Sequence, residues 1–275
     1  MNSKRIAILG TGSMGGAILH GLLAAGVSAS NVSVSTKSEA SAAKLRDELG
    51  VSAFSCETSA DANSATVANA DVVLVGVKPG YVVEVLTEVA GSLKADALVI
   101  SVAAGITTAA MEAAVSNAVV RAMPNTPSVV GRGVTGIAKG SRASEADIAT
   151  ATKIFESVGK VLVIDESQID ALSTISGSGP AYVFYLIEQF TATAESMGFT
   201  AEQAEVMVHD TFLGASELLA ASGKSPAELR KQVTSPNGTT MRAVAVLEEA
   251  KLKETFDKAT AAALARAKEI AEGNL

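Results

Sequence analysis

Cysteine is nearly missing from this chain: Cys56 stands alone among 275 residues. An intramolecular disulfide is therefore excluded, as is a four-thiolate metal site within one chain, and a reducing cytoplasm is the expected compartment. Histidine is almost as scarce. His20 falls in the first expected helix and His209 in an Ala/Val-rich one. Neither has the i, i+4 histidine partner of a zinc-binding helix, so both read as surface or packing residues and no metal is expected. The G-x-S-x-G turn of a serine hydrolase does not occur. No run of five or more basic residues is present and the net charge is −7, so neither nucleic acid nor anionic membrane is an expected partner. No apolar stretch approaches the ~18 residues of a membrane span. The first apolar run, "IAIL", breaks at Gly10, short of the ~7–15 residues of a secretory signal.

What is present is the composition of a globular protein, 48% hydrophobic and 19% charged, long enough for two domains. From residue 5 to about 165, β-branched runs alternate with Ala/Glu/Lys segments: "RIAIL", "NVSVS", "DVVLVGV", "ALVISVA", "AVVRAM", "GVTGIA" and "KVLVI". Several are apolar on both faces, as strands of a doubly covered parallel sheet are. After Asp165 such runs stop. Pro180 opens a helix, and Thr200 before "AEQ" and Ser225 before "PAEL" read as capping boxes. The expected fold is an α/β Rossmann-like dinucleotide-binding domain over residues 1–165, followed by an all-α domain over 166–275. The segment from Pro180 to Met197 is apolar on nearly every face of its first two turns. It is either a central core helix or one covered by a second subunit.

Gly10, Gly12 and Gly15 form G-x-G-x-x-G directly after the first strand and at the start of a helix, the arrangement that brings backbone against a pyrophosphate. The second strand ends in Ser35, Thr36 and Lys37, where an NAD site usually carries an acid; two hydroxyls and a cation suit a 2′-phosphate and favour NADPH. Glu39, two residues on, keeps NADH possible. At the carboxyl ends of later strands lie "GVKPG" (76–80), "SVAAGI" (101–106) and "RAMPNTP" (121–127), which together read as a wall for the nicotinamide. In the helical half, "VTSPNGTTMRA" (233–243) is small, polar and stiff. If a helix begins near Thr239, the amides of Gly238, Thr239 and Thr240 and the hydroxyls of Ser235, Thr239 and Thr240 form a receptor for a small carboxylate.

Taken together, "GTGSMG", "VKP", "MPNTP", "SGSGPAY" and "TSPNGTT" resemble pyrroline-5-carboxylate reductase, in the family's order across residues 10 to 241. The resemblance implies reduction of Δ1-pyrroline-5-carboxylate to L-proline with NADPH or NADH, by a homodimer of interleaved helical domains that assembles further into a decamer. It implies that Gly10, Thr11, Gly12, Ser13, Met14 and Gly15 hold the pyrophosphate, Ser35 to Lys37 the 2′-phosphate, and that Asn63 lies near the adenosine. Val77, Lys78 and Pro79, Ala103, Ala104 and Gly105, and Met123, Pro124 and Asn125 would border the nicotinamide. Ser235, Asn237, Gly238, Thr239 and Thr240 would receive the substrate, Thr240 approaching the ring nitrogen as the catalytic group, and Glu166 is a further substrate candidate. Two positions depart from the family pattern: Asn237, where many relatives have glycine, and Gly223, where several have an acid. A β-hydroxyacid dehydrogenase shares this architecture but uses a helical lysine as general acid, and the Pro180 helix has none. A non-catalytic NADP sensor is the other reading, against which the complete "TSPNGTT" stands.

Overall fold

The computed structural model describes residues 3–271. The chain forms two compact units, one comprising the residues up to Ser178 together with those from Leu264, the other Gly179–Ala263.

The first unit is built on one sheet. Its elements are β1 (Ile6–Leu9), α1 (Ser13–Ala24), β2 (Val32–Thr36), α2 (Glu39–Leu49), β3 (Ser52–Ser55), α3 (Ala62–Val67) and β4 (Val72–Val75). They continue with α4 (Val82–Val89), β5 (Leu98–Ser101), α5 (Thr108–Ala114), β6 (Ala118–Met123), β7 (Gly133–Lys139), α6 (Glu145–Glu156), β8 (Gly159–Val163) and α7 (Glu166–Leu172). The strand order is β3-β2-β1-β4-β5-β6-β7-β8. The first six strands are parallel and follow the doubly wound dinucleotide-binding order. Successive strand residues feed opposite faces: Ile6 and Ile8 join one buried cluster with α1, α2 and α6, while Ala7 and Leu9 join another with α4 and α5. Burial on both faces is why β1 and β4 are apolar at every position.

Seven strands stand where the β-branched runs predict them. The eighth, β3, escapes that signal because "SAFS" contains no β-branched residue; it forms as the edge partner of β2. One strand pair departs from the expected parallel sheet. β7 is antiparallel to β6, because the intervening residues 124–132 form a short loop with a 3-10 turn rather than a full crossover helix. β8 then pairs parallel with β7 through α6, whose start carries the Ser144–Asp147 capping box.

The second unit holds α8 (Gly179–Ser196), α9 (Ala201–Ser222), α10 (Pro226–Gln232), α11 (Thr239–Glu249) and the first part of α12 (Leu252–Ala271). The Thr200 and Ser225 capping boxes are formed as read from the sequence, and Pro180 occupies the first turn of α8, where its missing N–H costs no hydrogen bond. Little of this unit is buried: Ala194, Ala204 and Val208 form its core, with Ile187 and Phe212 packed against them. Phe184 on α8 is 66% exposed and Leu213 on α9 is 58% exposed. The apolar α8 is thus not a buried helix within one chain. Among the described residues no helix is long and apolar enough to cross a membrane.

Candidate active site

The strand order reverses between β1 and β4, so the crevice beyond their carboxyl ends is where an open sheet of this kind takes a ligand. The glycines there have separate reasons. Gly10 has φ of +78°, and a Cβ on it would lie 2.7 Å from Val77 Cγ1. A Cβ on Gly15 would lie 2.9 Å from the Gly10 carbonyl oxygen, and one on Gly76 would meet the same atom at 2.9 Å. These glycines let the first turn, the first helix and the end of β4 touch. Gly12 differs: nothing lies within 4 Å of its Cβ position. Packing does not demand glycine there, whereas close approach of a ligand to the backbone would. Gly12 caps α1 with no side-chain hydrogen bond, and the first turn contains no acidic residue. The amides of Ser13, Met14 and Gly15 lack intrahelical acceptors and face an anion-ready opening.

The loop is held from the side by β2. Thr11 donates to the Ser35 carbonyl through its amide (3.0 Å) and its hydroxyl (3.1 Å), and the Gly10 amide donates to Ser35 Oγ at 3.3 Å. Ser35 and Thr36 are both buried, and Thr36 Oγ1 donates to the Ser38 carbonyl at 2.8 Å. Their hydroxyls serve the protein. Lys37 is exposed, and Ser38, not singled out in the sequence, caps α2 by accepting from the Ser41 amide at 3.4 Å. The signal for Ser38 was its place directly before the "EASAAK" helix. Glu39 is tied to Arg46 and accepts from Thr58 Oγ1 at 3.2 Å. Asn63, in the first turn of α3, donates to the Glu88 carboxylate at 3.1 Å and lies 3.6 Å from Cys56 Sγ. Partial burial, then the nearby Glu88 charge, push the Cys56 thiol up from its ordinary value, so it is not an activated thiolate.

Because β1, β4, β5 and β6 are parallel neighbours, the segments after them leave the sheet along one edge. Lys78 is exposed beside the half-buried Val77, ahead of the short turn begun by Pro79. The Ala103 amide donates to Ser101 Oγ at 3.2 Å, Ala104 is exposed, and Gly105 turns the chain with φ of +75°. Met123 is half-buried and Pro124 buried. Asn125 is braced on both sides: its Nδ2 donates to the Ser176 carbonyl at 2.9 Å, and its Oδ1 accepts from the Val134 amide at 2.8 Å. Ser176 belongs to a π-helical turn, Ser173–Gly177, that follows α7. A Cβ on Gly177 would lie 3.5 Å from Met123 Cε, so this turn packs beside the same loop.

Glu166 opens α7. Its Oε1 accepts from the Thr108 amide and its Oε2 from the Thr108 hydroxyl, both at 2.6 Å. Behind it Arg121 lies buried in β6, with Nη1 3.7 Å from Glu166 Oε1 and Nη2 2.5 Å from Asp170 Oδ1. Arg121 was missed by sequence reasoning; the one charged residue inside the apolar run "AVVRAM" was its only signal.

In the helical unit, α11 begins at Thr239 with Gly238 as cap, no side-chain capping bond and no acid in its first turn. The Gly238 amide closes a turn onto the Ser235 carbonyl at 3.1 Å, which leaves the amides of Thr239 and Thr240 for an anion. Asn237 makes the turn possible with φ of +59°. A Cβ on Gly238 would lie 2.5 Å from Ser235 Oγ, so glycine there lets that hydroxyl sit over the helix start. Ser235, Thr239 and Thr240 are exposed. Gly223 ends α9 with φ of +66°, a left-handed helix stop that explains the glycine at this position.

Known proteins give a consistent identification. A family model described as pyrroline-5-carboxylate reductase dimerisation matches residues 166–270, and one described as NADP oxidoreductase, coenzyme F420-dependent, matches residues 5–105. A pyrroline-5-carboxylate reductase of Corynebacterium melassecola is 38% identical over 96% of this chain and 98% of its own length. A pyrroline-5-carboxylate reductase of Pseudomonas aeruginosa is 37% identical over 99% and 98%. The solved structure of the enzyme from Coxiella burnetii superposes with a TM-score of 0.91 at 38% identity, covering 98% of both chains. That of the Plasmodium falciparum pyrroline carboxylate reductase, solved with NADP bound, gives 0.83 at 27% identity over 98% of this chain and 99% of that one. This chain therefore belongs to the pyrroline-5-carboxylate reductase family.

Proposed function

We infer that this protein reduces Δ1-pyrroline-5-carboxylate to L-proline, the last step of proline biosynthesis, consuming one NAD(P)H and one proton for each imine. The observation that carries the reading is a pair of uncapped helix starts in a chain of this family. One, behind Gly12, opens at the switch point of a dinucleotide-binding sheet; the other, at Thr239, is ringed by hydroxyls.

Bound NAD(P)H supplies the hydride. A protonated cyclic imine is already a strong acceptor, so the protein's task is orientation. Gly12 and the amides of Ser13 to Gly15 receive the pyrophosphate. Lys37 and Ser38 would receive the 2′-phosphate of NADPH, while Ser35 holds the glycine loop and Thr36 bonds the Ser38 carbonyl; NADH would use the same loop without that contact. Val77 to Pro79, Ala103 to Gly105 and Met123 to Asn125 border the nicotinamide, and Asn63 stands on the adenosine side. The amides of Thr239 and Thr240 and the hydroxyl of Ser235 take the substrate carboxylate, in a loop set by Asn237 and Gly238. The Thr240 hydroxyl hydrogen-bonds the ring nitrogen and stabilises its changing charge as C5 is reduced.

A homodimer covering the exposed apolar faces of α8 and α9, assembled further into a decamer, completes the proposal. The sparse core of the helical unit and the dimerisation family match support it. A cytoplasmic location goes with the single cysteine. The test is to mix purified protein with Δ1-pyrroline-5-carboxylate and NADPH, with NADH in parallel, and to quantify L-proline. One proline per reduced cofactor consumed is expected. Cofactor binding without oxidation would overturn the reading in favour of a sensor.

A further inference from the structure

The carboxylate of Glu166 has both oxygens engaged. It accepts two 2.6 Å hydrogen bonds from one residue, Thr108, which lies 58 positions earlier in the chain. Thr108 is the first residue of α5, a helix with no acid in its own first turn, so Glu166 supplies the negative charge that this helix start favours. Asp170, one turn further along α7, projects from the same face as Glu166, and both carboxylates meet the guanidinium of Arg121. The Arg121 side chain is only 3% exposed, so removing its partners would strand a buried charge.

The consequence concerns the loop before α5. At its near end the Ala103 amide is tied to Ser101 Oγ; at its far end Thr108 is gripped by Glu166. Only residues 104–107 lie between these anchors, and Gly105 provides their turn. The other end of α7 runs into the π-helical turn whose Ser176 carbonyl receives Asn125. One short helix thereby braces two of the three loops assigned to the nicotinamide.

We propose that Glu166 is a positioning residue rather than a substrate ligand: gripping Thr108 and backed by Arg121, it fixes the Ala103–Gly105 loop and hence the nicotinamide. The inference rests on the reductase reading above. Removing this grip leaves the pyrophosphate and carboxylate receptors untouched but lets the hydride donor wander, and small misplacements of reacting groups cost rate steeply.

Glu166→Ala and Thr108→Val should each lower kcat about tenfold or more, with KM for Δ1-pyrroline-5-carboxylate and the Kd for NADPH within about twofold of wild type. With NADPH deuterated at the transferred position, both variants should show a larger isotope effect on kcat than wild type, because hydride transfer has become slower. Thr108→Ser, which keeps the hydroxyl, should restore wild-type values. A raised KM for the imine with kcat retained in Glu166→Ala would overturn the proposal and make Glu166 a substrate ligand. Unchanged kinetics and isotope effects beside a lowered Tm would reduce the cluster to a structural clamp and overturn it too. Thr108→Val keeps the test decisive where Glu166→Ala fails to fold. An inert wild-type protein would instead overturn the reductase reading itself.

Discussion

Thr240 sits exposed in the first turn of α11, with its hydroxyl and amide on the same uncapped helix start. If it steadies the ring nitrogen during reduction, Thr240→Ala should lower kcat by about 10²-fold while NADPH titration gives an unchanged Kd. Lys37 offers a second residue-scale test. A charge-assisted hydrogen bond contributes about 1.5–3 kcal/mol, so Lys37→Ala should raise KM for NADPH about tenfold and leave KM for NADH unmoved in parallel steady-state assays. The sequence made Ser35 and Thr36 partners of Lys37 in this contact, yet both are buried and bonded within the protein. Hydroxyl residues at the end of a strand covered on both faces look the same in sequence as exposed ones; only the sheet's second layer separates them. Glu166 was legible as a residue of interest, but its attachment to Thr108 spans a sequence distance that no local pattern encodes.

Among the elements, strands with β-branched runs and helices with capping boxes could be read directly, because local backbone preference and burial agree there. β3 could not, since "SAFS" forms a strand only by pairing with β2. Nor could the reversal at β7, which depends on what residues 124–132 do rather than on the strand itself. The Ser235–Thr240 turn was readable in outline: its proline, asparagine and glycine announced a tight turn before a helix. It was less so in detail, because the Gly238 amide is consumed by Ser235 instead of facing outward. Asn237 holds a left-handed conformation that costs other residues about 1–2 kcal/mol. Asn237→Gly should therefore keep KM for the imine near wild type, whereas Asn237→Val should raise it several-fold, with little change in NADPH binding.

For the molecule as a whole, the helical unit leaves Phe184, Tyr185 and Leu213 exposed while burying few apolar side chains of its own. An apolar surface of that kind marks an interface, and the sequence offered an all-round apolar helix as a sign of either a core or a subunit contact. Phe184→Asp should shift the protein towards monomer in sedimentation velocity and lower its thermal stability; an unaltered oligomer would place the interface elsewhere. The central claim is that the α11 start recognises the carboxylate and that placement carries the rate. Its most direct test is to compare kcat/KM for Δ1-pyrroline-5-carboxylate with that for 1-pyrroline, the same imine without the carboxylate. Loss of even two of the three charge-assisted hydrogen bonds predicts a fall of at least about 10²-fold for 1-pyrroline; equal values for the two imines would contradict the account.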